Sequence, residues 1–174
     1  KDTWDGTIAL YDAVLEAHPE SFLARTGKME SILHEGRYRE ARESILDLLE
    51  ESPVDERLVA DLNKANVHVI AELEPKYKDS LLDQDGLMEL AWCYYQNQKF
   101  DQSLKVLRKL KPEGEIEFDY YNLIARVLLE TGDYEEGFKM TQIWISNIEK
   151  LTGNEKDYER KSKRYGYAHF IASM

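Results

Sequence analysis

Apolar residues recur at i, i+3, i+4 and i+7 in two stretches, Leu87, Leu90, Ala91, Tyr94 and Tyr121, Ile124, Ala125, Leu128. That spacing gathers four apolar groups on one face of a helix, and no segment alternates with the period of two that a strand requires. A second kind of helix opens at an aromatic residue, at Trp4, Tyr38, Phe100 and Tyr134. Three positions after each aromatic stands a small residue, Thr7, Ala41, Ser103 or Gly137. Tyr11, Ile45, Leu107 and Thr141 follow four further on, and Val14, Leu48, Leu110 and Trp144 three beyond those. Asp2, Gly36, Gln98 and Gly132, two residues ahead of the aromatics, suit a turn. The pattern predicts helix, short turn, helix, with a small residue where two backbones approach.

The units recur: Trp4 and Tyr38 are 34 residues apart, as are Phe100 and Tyr134, and Pro19 and Pro53 close the first two units at the same spacing. Such a period marks stacked supersecondary units. Two stretches depart from it. Residues 22–35 carry Arg25 and Lys28 where the later units carry Leu87 and Leu90, which predicts a skewed or partly exposed helix. Residues 56–83 lack the turn motif. There Val59, Leu62, Asn66, Val69 and Leu73 predict one amphipathic helix ending before Pro75, since the residue preceding proline disfavours helix. Tyr77, Leu81 and Leu82 are expected to add a short second helix.

Gly36-Arg37-Tyr38-Arg39-Glu40-Ala41 and Gly132-Asp133-Tyr134-Glu135-Glu136-Gly137, with the 34-residue spacing and the terminal prolines Pro19 and Pro53, resemble the tetratricopeptide repeat. The resemblance divides a single domain, residues 1–174, into the second half of a repeat (1–21), a repeat (22–55), a degenerate repeat (56–83), two further repeats (84–117 and 118–151) and a capping helix (152–174). Its implied fold is an all-α, right-handed α-solenoid. The capping helix carries Tyr158, Tyr165 and Phe170 among Lys156, Arg160, Lys161, Lys163 and Arg164, and an open solenoid end needs such a polar-faced cap.

Of the 174 residues, 43% are apolar and 33% charged, with an excess of acids that sets the net charge at −11. Phosphate binding needs concentrated positive charge, so no nucleic-acid partner is expected, and no apolar run is long enough to cross a membrane. One cysteine, Cys93, excludes an intrachain disulfide, and no Asn-x-Ser/Thr acceptor occurs, which suits a cytoplasmic setting. Lys1 opens the chain without a signal pattern and Met174 ends it inside a helical pattern, so a piece of a longer protein is expected.

Catalytic and metal chemistry find little support. His18, His34, His68 and His169 fall in no metal-ligand spacing, and one thiol cannot build a zinc site. Asp83-Gln84-Asp85-Gly86 lacks the first ligand and the closing glutamate of a calcium loop, and reads instead as a polar helix start. Cys93 has no basic residue within four positions to lower its pKa. No enzyme activity and no cofactor are therefore expected.

One constellation exceeds the packing pattern. Met88, Trp92 and Tyr95 form a second apolar stripe on the helix that carries Leu87 and Leu90. In the family the first helix of each repeat lines a concave groove, and by that resemblance Asn122, Arg126 and Leu129 project beside the stripe. Thr26, Glu30 and Leu33 project from an earlier repeat. The expected function is a non-catalytic protein- or peptide-binding scaffold, with an aromatic floor and Arg126 for a carboxylate. The alternatives are an accessory domain of a larger enzyme or of a J-domain co-chaperone, and a spacer or self-associating module. In the spacer, Tyr77, Leu81 and Leu82 would cover the stripe. The partner is a protein or peptide, and a homo-oligomer is compatible with the sequence.

Overall fold

The computed structural model describes residues 4–113 and 116–149, and the expected capping helix with its basic stretch lies outside them. Among the described residues there are eight helices and no strand. They are α1 (Asp5–Ala17), α2 (Phe22–His34), α3 (Tyr38–Glu51), α4 (Glu56–Lys78), α5 (Gln84–Gln96), α6 (Phe100–Leu107), α7 (Ile116–Glu130) and α8 (Tyr134–Glu149). The chain divides into two compact units, Lys1–Glu72 and Leu73–Met174.

In the first unit α2 packs against both α1 and α3. Its core joins Met29, Ile32 and Leu33 of α2 to Ala41, Ile45 and Leu48 of α3, with Ile8, Leu58, Leu62 and Ala65. The residues that break the apolar pattern of α2 are ion-paired to its neighbours. Arg25 reaches Glu51 on α3 through two hydrogen bonds of 2.6 Å, and Lys28 lies 2.6 Å from Asp12 on α1. The helix is thus partly exposed on this side, and charge bridges the flanks that leucines would pack.

In the second unit α5 pairs with α6 and α7 with α8, and α7 also packs on α5 and α6. The small positions mark the close approaches. Ser103 Oγ of α6 donates to the Ala91 carbonyl of α5 at 2.8 Å, and Gly137 of α8 lies against Leu128 and Leu129 of α7. Leu90, Ala91, Leu107, Leu123, Ala125, Leu128 and Trp144 fill the core.

One turn geometry recurs after the first helices. Gly36 and Gly132 adopt φ of +80° and +84°, and the following N–H reaches back over the turn, from Arg37 to the Ile32 carbonyl and from Asp133 to the Leu128 carbonyl. This left-handed closure satisfies carbonyls that a helix end leaves open. Gln98 makes the same closure at φ 57°, with Lys99 N donating to Tyr94 O at 2.8 Å.

The irregular segment corrects the sequence reading. α4 does not end before Pro75 but runs through it to Lys78, and Leu81 and Leu82 belong to no helix. Proline removes the N–H that would serve the Ala71 carbonyl, yet Ala71 and Pro75 are both exposed, so water can take the vacant acceptor. Side chains beyond the proline hold the last turn: Tyr94 Oη donates to Glu74 at 2.5 Å, and Lys109 Nζ lies 4.1 Å from the centre of the Tyr77 ring.

Candidate functional site

Asp83 starts α5 by accepting a hydrogen bond from Gly86 N at 2.8 Å, the polar helix start expected of this segment. From there the helix buries Leu87, Met88, Leu90, Ala91, Cys93 and Tyr94, and leaves Trp92 and Tyr95 half-buried. The two rings meet edge to face at 5.9 Å, and Tyr95 lies 5.7 Å from Phe100.

From α7, the Arg126 guanidinium stands 5.8 Å from the centre of the Trp92 ring. Its Nε donates to Asn122 Oδ1, one turn earlier, at 2.8 Å, which fixes the direction of the cation. Trp92, Tyr95, Asn122 and Arg126 are thereby brought together. Of the other expected residues, Met88 is buried and Leu129 packs on Gly137. The arrangement combines flat apolar surface with an oriented positive charge, a pairing suited to an apolar side chain near a carboxylate.

The segment weighed as a cover lies elsewhere. Leu81 is 72% exposed, Leu82 lies beside Gly86, and Tyr77 packs beneath Lys109. In the first unit Leu33 is a core residue rather than a projecting one, Glu30 is paired with Arg57 at 2.5 Å, and Thr26 Oγ1 donates to the Phe22 carbonyl. Tyr94, buried beneath this face, has its phenol pushed well above the usual tyrosine value, first by burial and then by the Glu74 carboxylate, so it stays a neutral donor.

The sequence reading treated the histidines as scattered and missed a pair. His34 stacks on Trp4 at 4.7 Å and His68 stacks on Tyr38 at 3.7 Å, with rings within 9° and 3° of parallel. The signal was the repeat itself, because the two histidines share the 34-residue spacing of the two aromatics. A recess of about 350 Å³ adjoins the second stack, lined by Arg37, Arg39, Glu40 and Glu72 among others. Among the described residues no group of three or more His, Cys, Asp or Glu is placed to hold a metal ion, and no helix is long and apolar enough to cross a membrane.

Tetratricopeptide-repeat family models match residues 4–56 and 85–111. No curated protein matches the chain. Repeats of this type generally act as protein-interaction scaffolds. With paired helices, the recurring turn and the small-residue contacts in both units, the chain is a tetratricopeptide-repeat protein.

Proposed function

We propose that the chain is a non-catalytic scaffold that binds a protein or peptide on the α5–α7 face. Trp92 and Tyr95 supply the apolar anchors, with Met88 beneath them and Leu129 at the margin. Asn122 aims Arg126 at an acidic group of the ligand. In this reading residues 22–55, 84–117 and 118–151 are whole repeats of one array, with 56–83 a degenerate repeat.

The observation that carries the proposal is the partly exposed Trp92 side chain, flanked by a second aromatic and an oriented guanidinium. Trp, Tyr and Arg are the residues most enriched at binding hot spots. Peptides selected on the wild-type chain from a random library are then measured against Trp92→Ala and Arg126→Ala. Trp92→Ala is expected to weaken binding about thirtyfold, equivalent to about 2 kcal/mol, while losing less stability than the roughly 3–5 kcal/mol of a buried aromatic. Arg126→Ala should weaken acidic peptides more than neutral ones. Peptides that bind Trp92→Ala as tightly as wild type would overturn the assignment.

A further inference from the structure

Between Lys99 and Lys111 stand five bases and one acid, Asp101, in a chain whose net charge is −11. Lys105, Arg108 and Lys109 are exposed, while Ser103, Val106, Leu107 and Leu110 are buried. The Arg108 N–H still bonds to the Leu104 carbonyl, so the helical turn continues past Leu107. Spaced i, i+3 and i+4, the three cations therefore share the outer face of α6. Among the described residues none of the five bases makes an ion pair, whereas Arg25, Lys28, Arg39 and Arg57 of the first unit all do. Lys109 rests instead over the Tyr77 ring, 4.1 Å from its centre. The repeat does not call for these charges. α1, α3 and α8, the other second helices, carry no base in the last turn, and α3 places Glu43, Leu46 and Asp47 at the matching positions.

We infer that the outer face of α6 docks a short acidic segment of a partner protein, on a surface distinct from the α5–α7 face. Charge complementarity names the occupant, since three cations without a carboxylate of their own gain most from a ligand that brings some. The length follows from the geometry. The cations occupy one helical turn, ~5.4 Å, which two or three residues of an extended chain span at about 3.3 Å each. Acids bound the patch on both sides. Lys111 N donates to the Gln84 side chain at 2.9 Å, and Asp83 and Asp85 flank Gln84 at the start of α5. Towards α7, burial first and then Tyr121 and Glu136 push the Tyr120 phenol up, while Arg108 opposes them. A long polyanion such as a nucleic acid would run from the cations onto these carboxylates, whereas a short acidic run ends before them.

The probes are a fluorescein-labelled peptide of alternating Glu and Ser, its Gln-for-Glu counterpart and labelled oligothymidylate. Binding to the whole chain is followed by fluorescence anisotropy. Saturable binding of the acidic peptide is expected, at least tenfold tighter than that of the Gln peptide and weakened by salt. The double variant Lys105→Gln/Arg108→Gln should reduce it at least tenfold. Lys64→Gln/Lys139→Gln removes the same charge from exposed positions elsewhere and should change it less than twofold. All four side chains are exposed, so both double variants should melt within a degree or two of wild type. Arg126→Ala should leave the affinity unchanged, because the peptide has no apolar anchor for Trp92. A loss in Arg126→Ala in place of the α6 variant would put the peptide on the α5–α7 face and overturn this proposal alone. Absence of binding, unchanged affinity in the α6 variant, equal binding of the Gln peptide or tighter binding of oligothymidylate would also overturn it. So would a wild-type dimer in sedimentation that Lys105→Gln/Arg108→Gln dissociates, since that makes the occupant a second copy.

Discussion

Single residues set the closeness of the helix pairs. Ala41 is fully buried in the first unit, and Ser103 is equally buried in the second, where its hydroxyl bridges to the Ala91 carbonyl. A bulky side chain has no room at either place. Ala41→Arg is expected to cost at least the roughly 1–3 kcal/mol of an overpacked core, with a buried charge added. Glu40, its neighbour, pairs with Arg37 at the edge of the same helix, so Glu40→Arg should cost about 1 kcal/mol or less. Urea denaturation midpoints separate the two, and coincident midpoints would show that the phase of α3 has been misassigned.

At the scale of the element, the turns test whether the repeat is one geometry with different residues. Gly36 and Gly132 occupy a left-handed conformation that Gln98 shares at a cost a side chain imposes. Gln98→Gly is expected to stabilise the chain by about 0.5–1 kcal/mol, the relief of strain being offset in part by the freer unfolded chain. Gly132→Ala should lose about 1 kcal/mol, and for a conformational reason alone, because a Cβ at Gly132 meets nothing within 4 Å. Thermal melts of both variants measure this, and a destabilised Gln98→Gly would mean that the Gln98 side chain contributes more than its backbone costs. These turns were legible from sequence because glycine two residues before an aromatic is a local signal. α4 was not. Its passage through Pro75 depends on solvent reaching the Ala71 carbonyl and on Tyr94 and Lys109 contacting the last turn, which are tertiary facts. The same distinction explains Leu33, which alignment sent outward and packing put in the core. Trp92 and Arg126, by contrast, were set side by side by what the family resemblance implies, and the Arg126 guanidinium lies 5.8 Å from the centre of the Trp92 ring.

For the whole molecule the governing term is charge. Thirty-four acids against 23 bases leave a surplus that repels itself in every compact arrangement. Direct pairs such as Arg25–Glu51, Lys28–Asp12 and Arg39–Glu72 oppose that repulsion. They involve partly exposed groups, however, and each is worth about 1 kcal/mol or less. Salt weakens both effects but not equally. The screening length falls from about 30 Å at 0.01 M to about 10 Å at 0.1 M, so the long-range repulsion fades while contacts near 3 Å keep most of their strength. The melting temperature is therefore expected to rise by a few degrees as sodium chloride increases from about 10 mM to about 150 mM. Differential scanning calorimetry at the two concentrations checks it. A fall would mean that the cross-helix ion pairs of α2 outweigh the surplus, and Arg25→Met should then abolish most of the salt dependence.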